Sequence, residues 1–279
     1  MAIILNTNAV KTWYQAPVMS RQCPVSQSPQ DVYTPSTASS GIVSYKDMLN
    51  AAKGGATANA IAANDYGVDD KGKALDPKTL AKAPITSTNE QMQSYLNFLY
   101  TTETGKAELD ALKAEHPDAK VVVGQPKGYN WGKDQGGVTI GETIYINPKT
   151  MGNDPLDGAG LLAHEVWHAL SPYKNSFAQE KTADDMRVAV TQDLEKKHYG
   201  EGWAKAHGGV GLAKDNVDDI YADTFSEYDG GKKPKAGDLA AESMAVESRK
   251  IPLPDKIVKH SDGLFNKKFP KTTTAEVKD

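Results

Sequence analysis

The sequence predicts an α+β domain, and three observations carry that prediction. Two stretches of helical periodicity come first, at about 88–99 and 106–116. An apolar run and a hairpin pattern follow, at 120–124 and 137–148. Two more helical stretches close the series, so helices and strands are segregated along the chain rather than alternating as βαβ units. The 279 residues, 39% hydrophobic and 24% charged, suit a globular chain near the upper size of one core.

Residues 1–41 read as a disordered tail. "QAPVMSRQCPVSQSPQDVYTPSTASS" is rich in Ser, Thr, Pro and Gln and buries too little apolar surface to offset its ordering entropy. Its composition also fits an uncleaved export signal of the kind carried by proteins that bacterial secretion systems inject. The opening "MAIILNTNAVK" is too short in apolar residues, with no basic residue ahead of them, for a cleavable signal peptide. Residues 42–85 read as a small helical and linker region. "SYKDMLNAAKG" and "TANAIAAND" are short helix candidates, and "DYGVDDKGKALDPKTLAKAPITS" is a loop.

The main domain is expected over 86–260. In "STNEQMQSYLNFLYTT", Thr88 and Gln91 have capping-box spacing, and Met92, Tyr95, Leu96 and Leu99 share one face. "KAELDALKAEH" continues as helix and stops before Pro117. "KVVVG", Lys120–Gly124, predicts a buried strand. "GVTIGETIYINP" predicts a hairpin turning at Gly141-Glu142, with Thr143–Asn147 as the candidate sheet edge for an extended peptide. The lysine-rich end, 261–279, reads as a flexible solvated tail.

Composition excludes some functions. A net charge of −4 gives no electrostatic reason to bind nucleic acid or acidic membrane, and no run reaches the ~18 apolar residues of a membrane span. One cysteine, Cys23, permits no intrachain disulfide and no thiolate-rich zinc site. Metal ligands must therefore be His, Asp or Glu.

The chemistry concentrates in "GLLAHEVWHALSPYKNSFAQEKTADDM". Asp154-Pro155 and Asp157 start a helix, and Ser171-Pro172 stops it. On that helix His164 and His168 fall within ~40° of each other, near enough to share one zinc ion. Leu162, Val166 and Leu170 form an apolar row opposite. Glu165 lies beside the histidine face, placed as a general base. This is the HExxH pattern. Lys174 stands where an HExxHxxGxxH sequence would have a third histidine, so the third ligand is sought later. Glu180 leads, in a helix whose apolar stripe is Ala183, Met186, Val190 and Leu194, with Asp184 one turn on to hold a ligand histidine by its far nitrogen. Rival ligands are Asp185, His198, His207, Asp219 and Glu242. Tyr173, Tyr199, His207 and Tyr221 are candidates for stabilising an oxyanion. Trp131 lies in a loop and reads as packing or a cleft wall.

HExxH on one helix and ExxxD on the next resembles the gluzincin zinc metallopeptidases, over roughly 25 residues. The resemblance implies His164, His168 and Glu180 as ligands of one Zn2+ per chain, Glu165 as base and Asp184 as orienter. It also implies a zincin-like domain with a small mixed or antiparallel sheet. A wider stretch, about 95–195, is similar in layout to small metallopeptidase toxins and effectors that bacteria inject into other cells, through "TETGKAELDAL", "KVVVG" and "GETIYINP". The expectation is a zinc endopeptidase, secreted and translocated into a target cell. It would act on a protein substrate as a monomer, with a secretion chaperone as candidate partner and neither nucleic acid nor membrane as one. The alternatives are an intracellular regulatory metalloprotease with a single partner and a non-enzymatic, zinc-stabilised interaction protein.

Overall fold

The computed structural model describes residues 65–132, 135–173, 176–200, 217–227 and 236–269. Among them are seven α-helices and one four-stranded sheet, an α+β arrangement. In chain order they are β1 (Thr86–Ser87), α1 (Glu90–Leu99), α2 (Glu103–Glu115), β2 (Lys120–Val123), β3 (Gly137–Ile140), β4 (Thr143–Ile146), α3 (Pro155–Leu170), α4 (Phe177–His198), α5 (Val217–Glu227), α6 (Ala236–Ser248) and α7 (Asp255–Lys268). The tail at 1–41, the helix candidates within 42–64, Lys174 and His207 lie outside the described residues.

The sheet is mixed, in the order β1-β2-β4-β3. β1, β2 and β4 run parallel, and β3 returns antiparallel against β4 through the two-residue turn at Gly141, whose φ of 63° suits glycine. The hairpin is where the sequence puts it, but the edge is not. β4 lies between β2 and β3, so Thr143–Asn147 is an interior strand, and β3 is the edge. Strand alternation does not reveal which arm of a hairpin lies outermost, because that depends on β2, which is remote in sequence.

α3 is the hub. It packs against α1, α2 and α4 and, on another side, against β3 and β4. Asp154 caps it by accepting from the Leu156 and Asp157 N–H groups, Pro155 opens it, and Ser171 ends it. Tyr95, Leu96, Leu99, Leu109, Leu112, Leu162, Val166, Trp167, Met186, Val190 and Leu194 form the main core with Val121, Ile144 and Ile146 of the sheet. At Gly160 a Cβ would come within 2.8 Å of Thr191 Oγ1, so the missing side chain lets α3 approach α4 closely. α4 is buried on nearly every side, not on a stripe alone: Glu180, Lys181, Asp184, Asp185, Arg187 and Glu195 are all at most 7% exposed.

Three expectations change. α1 is capped by Asn89, which accepts from the Met92 N–H, one residue after the expected Thr88. Gln91 bonds instead to the Tyr95 hydroxyl and across to Gly152 and Asn153. Residues 65–85 contain only a single bridge and a 3-10 turn, as a loop should, yet Tyr66, Ala83 and Ile85 enter the main core. Their segment is fastened to the end of α4, where the Val68 N–H donates to the His198 carbonyl at 2.9 Å. The domain therefore begins before residue 86. At the other end, the tail expected from 261 is helical through Lys268. Ile257, Leu264, Phe265 and Phe269 join Phe177, Tyr221 and Phe225 in a second apolar cluster, spaced to give α7 one buried face among its lysines.

Candidate functional site

The pairing of α3 with α4 brings His164, His168 and Glu180 together. The two Nε2 atoms are 2.9 Å apart, and each is 3.4 Å from Glu180 Oε2. A four-coordinate ion with bonds near ~2.0 Å sets its ligand atoms roughly 3.3 Å apart, so this triangle has the dimensions of three corners of such a tetrahedron. Among the described residues this is the one group of three or more His, Cys, Asp or Glu side chains able to hold a metal ion.

The donor chemistry fits a cation as well. Asp184 Oδ1 lies 2.9 Å from His164 Nδ1. That bond holds the proton on Nδ1 and turns the Nε2 lone pair of a neutral His164 toward His168 and Glu180. Burial alone would raise the pKa of Glu180, but the two histidines outweigh it and bring it down to about 2, so the carboxylate is anionic. For His164, burial works downward while Asp184 and Glu180 work upward, and the carboxylates win, with the pKa at about 10. Burial also acts to lower His168, and Glu180 reverses this and raises it. Two imidazoles beside two buried carboxylates thus attract positive charge to the point where their Nε2 and Oε2 atoms converge.

Glu165 is 1% exposed and leaves α3 on the side facing β3. Thr139 Oγ1 donates at 2.9 Å to its Oε2. Its Oε1 lies where a Cβ on Gly137 would come within 2.7 Å. Burial raises its pKa, against the opposing pull of His168, His164 and the Thr139 bond. The carboxylate is thus placed beside the triangle without belonging to it, and is more basic than an exposed glutamate.

Three of the rivals, Glu242, Asp185 and His198, are engaged elsewhere. Glu242 accepts from Trp167 Nε1 at 2.9 Å and from Ser171 Oγ at 2.6 Å, and so clamps the end of α3. Asp185 accepts from Tyr221 at 2.5 Å and Lys181 at 3.0 Å. His198 binds the Val68 carbonyl at the far end of α4, roughly 27 Å along the helix from Glu180. Asp219 lies on α5, its side chain outside the described set. Of the oxyanion candidates, Tyr199 donates to the Asp65 carbonyl and Tyr221 to Asp185. Tyr173 follows the end of α3, where its backbone N–H and carbonyl both engage the Ser171 hydroxyl. Trp131 packs edge-on to Tyr129, their ring centres 5.4 Å apart, in the loop leading to β3.

Three residues of the site are not evident in the sequence. Gly137 and Thr139 come from a strand 26 and more positions before Glu165, and Thr224 of α5 donates to Asp184 Oδ2. The period-two spacing puts Gly137 and Thr139 on one strand face, but nothing local says that α3 lies under that face. Compared with known protein families, curated proteins and solved structures, the chain matches none.

Proposed function

We propose that this chain is a zinc-dependent endopeptidase of zincin-like build, with His164, His168 and Glu180 as the ligands of one Zn2+. The observation that carries the reading is the convergence of His164 Nε2, His168 Nε2 and Glu180 Oε2 within 3.4 Å beside the buried carboxylate of Glu165. When bound, zinc supplies a Lewis acid that activates water and polarises a peptide carbonyl.

The chain's own groups do the rest. Glu165 takes a proton from the attacking water on its carboxylate and passes it to the leaving amine, and its raised pKa suits both transfers. Asp184 keeps the Nδ1 proton on His164. The substrate strand has a place to lie. The Asn147 N–H donates to Gly136, so Val138 and Ile140 bond to β4, while Gly137 and Thr139 turn their N–H and C=O groups outward. Gln135 takes the Gly137 carbonyl at 3.0 Å, and Thr139 is left to pair with an extended peptide directly beside Glu165. The substrate is thus a protein segment in extended form. The "TETGKAELDAL", "KVVVG" and "GETIYINP" layout and the composition of residues 1–41 support a secreted effector or toxin.

The test is a pair of substitutions read in two assays. Glu165→Gln keeps the shape and removes the basicity, so it retains zinc at wild-type stoichiometry while cleavage falls by ~10² or more. Glu180→Gln removes an anionic ligand and loses zinc affinity together with cleavage. New peptide termini in cell extract, suppressed by a chelator, give the cleavage readout. Full cleavage by Glu165→Gln defeats the peptidase mechanism, and unchanged zinc affinity in Glu180→Gln moves the third ligand elsewhere.

A further inference from the structure

α5 and α7 flank the candidate site without contributing a ligand to it, yet α5 reaches into its buried network. Two consecutive aspartates of α4 face it. Asp184 accepts from His164 Nδ1 on one oxygen and from Thr224 on the other. Asp185 accepts from Tyr221 on one oxygen and from Lys181 on the other, and Lys181 also pairs with Asp262 of α7 at 2.9 Å. Tyr221 and Thr224 are three apart on α5, hence on one face, so one helix face grips both aspartates. The two grips differ in what lies behind them. Asp184 leads through His164 to the proposed ligand triangle, whereas Asp185 leads to Lys181 and α7.

We propose that Thr224 is a positioning residue for the metal ligand His164, acting through Asp184. A carboxylate with one oxygen bonded to an imidazole can still rotate about its side-chain torsions. A donor on the second oxygen removes that freedom, fixing both the Nδ1 proton of His164 and the direction of its Nε2 lone pair. Asp184 is 1% exposed, so no bulk water replaces the hydroxyl if it is removed. The inference rests on the zinc reading above.

The experiment titrates zinc into the full chain, stripped of metal, in competition with a chromogenic chelator. His164→Ala, in the same titration, tests whether the ligand triangle is the zinc site. Thr224→Val keeps the shape and loses the donor, and its zinc affinity should fall by about tenfold to a hundredfold, the scale for loss of a group orienting a ligand. Thr224→Ser restores the donor and should return affinity to within about threefold of wild type. Tyr221→Phe removes the neighbouring hydroxyl, which serves Asp185, and should leave zinc affinity unchanged. Circular dichroism of the metal-free variants checks the fold, and Thr224→Ala replaces the valine variant if that one misfolds. Wild-type affinity in the donor-less variant overturns the proposal, as does failure of Thr224→Ser to rescue. An equal loss in Tyr221→Phe overturns it too, since the effect would then belong to the docking of α5 as a whole. No zinc binding by the wild type, or full binding by His164→Ala, defeats the zinc reading and this inference with it. Tight wild-type binding that ignores Thr224 defeats this inference alone.

Discussion

At the scale of single residues, the strand flanking Glu165 decides how freely its carboxylate is presented. Thr139 fixes one oxygen, and Gly137 leaves room for the other. An alanine at 137 meets no backbone obstacle, because Gly137 is not among the positive-φ glycines. Its methyl group would nevertheless press on Oε1 from 2.7 Å, and the buried carboxylate has little room to retreat. We expect Gly137→Ala to keep zinc and to lose cleavage by ~10-fold or more, as misplacement of a proton acceptor does. Steady-state cleavage beside metal analysis checks it; wild-type turnover would show that Glu165 accommodates the methyl. This residue also marks where sequence reading stops. His164, Glu165 and His168 were legible because all three lie on one helix whose periodicity fixes their relative directions. Glu180 and Asp184 were legible one helix later, through their four-residue spacing. Gly137, Thr139 and Thr224 reach the site only through tertiary packing, which no local pattern encodes.

At the scale of elements, the helix that bears the histidines depends on its start. Asp154 accepts from two backbone N–H groups at the first turn of α3, and its burial raises its pKa to about 7. Asp154→Ala should cost ~1 kcal/mol of stability through loss of the cap, while Asp154→Asn keeps an acceptor and should cost less. Denaturant titration near pH 7 separates the two, and equal losses would mean that the side-chain acceptor at this position does not cap the helix. Helix ends such as this one, and the hairpin turn, were readable because capping and turn chemistry are local. Other elements were readable only in part. In sequence α4 reads as one apolar stripe, Ala183, Met186, Val190 and Leu194, with Glu180 and Asp184 at its edge, and it is buried on nearly every side because α5, α6 and α7 cover its second side. Its charged side chains are tolerated through ion-pair partners, as Lys181 shows with Asp185 one turn on in the same helix and with Asp262 of α7, and Arg187 with Asp157 of α3. The terminal lysines disguised α7 in the same way, since its apolar face matches only a cluster assembled by Phe177 and Phe225.

At the scale of the whole molecule, the buried acids set a pH dependence. Burial raises the pKa of Glu108, Asp154 and Glu195, to about 7 for the last two and well above the carboxylate range for Glu108. Neither oxygen of Glu108 has a hydrogen-bond partner among the described residues, and the residue is fully buried. Such a group folds as the neutral acid. The folded chain then binds more protons than the unfolded chain between the two pKa values, so stability is complete below the unfolded value and falls as pH rises through the folded one. For Asp154 and Glu195 that window runs from the ordinary carboxylate range to about pH 7, and Glu108, raised by burial, loses stability in the same direction as pH rises. His164, raised to about 10 in the metal-free chain, adds to the loss on the alkaline side. Glu180 and His198 act in the opposite sense: Glu180 only below the ordinary carboxylate range, because its pKa is lowered to about 2, and His198 only up to the ordinary histidine range, because burial lowers its pKa and so favours its neutral form. The metal-free protein should therefore resist denaturant better at pH 5.5 than at pH 8.5. Glu108→Leu isolates the central acid: it should raise the denaturation midpoint at pH 8.5 more than at pH 5.5, flattening the profile. A chelated protein that is as stable at pH 8.5 as at 5.5, or a Glu108→Leu profile as steep as wild type, would mean that water or an internal donor solvates these carboxylates in the folded chain.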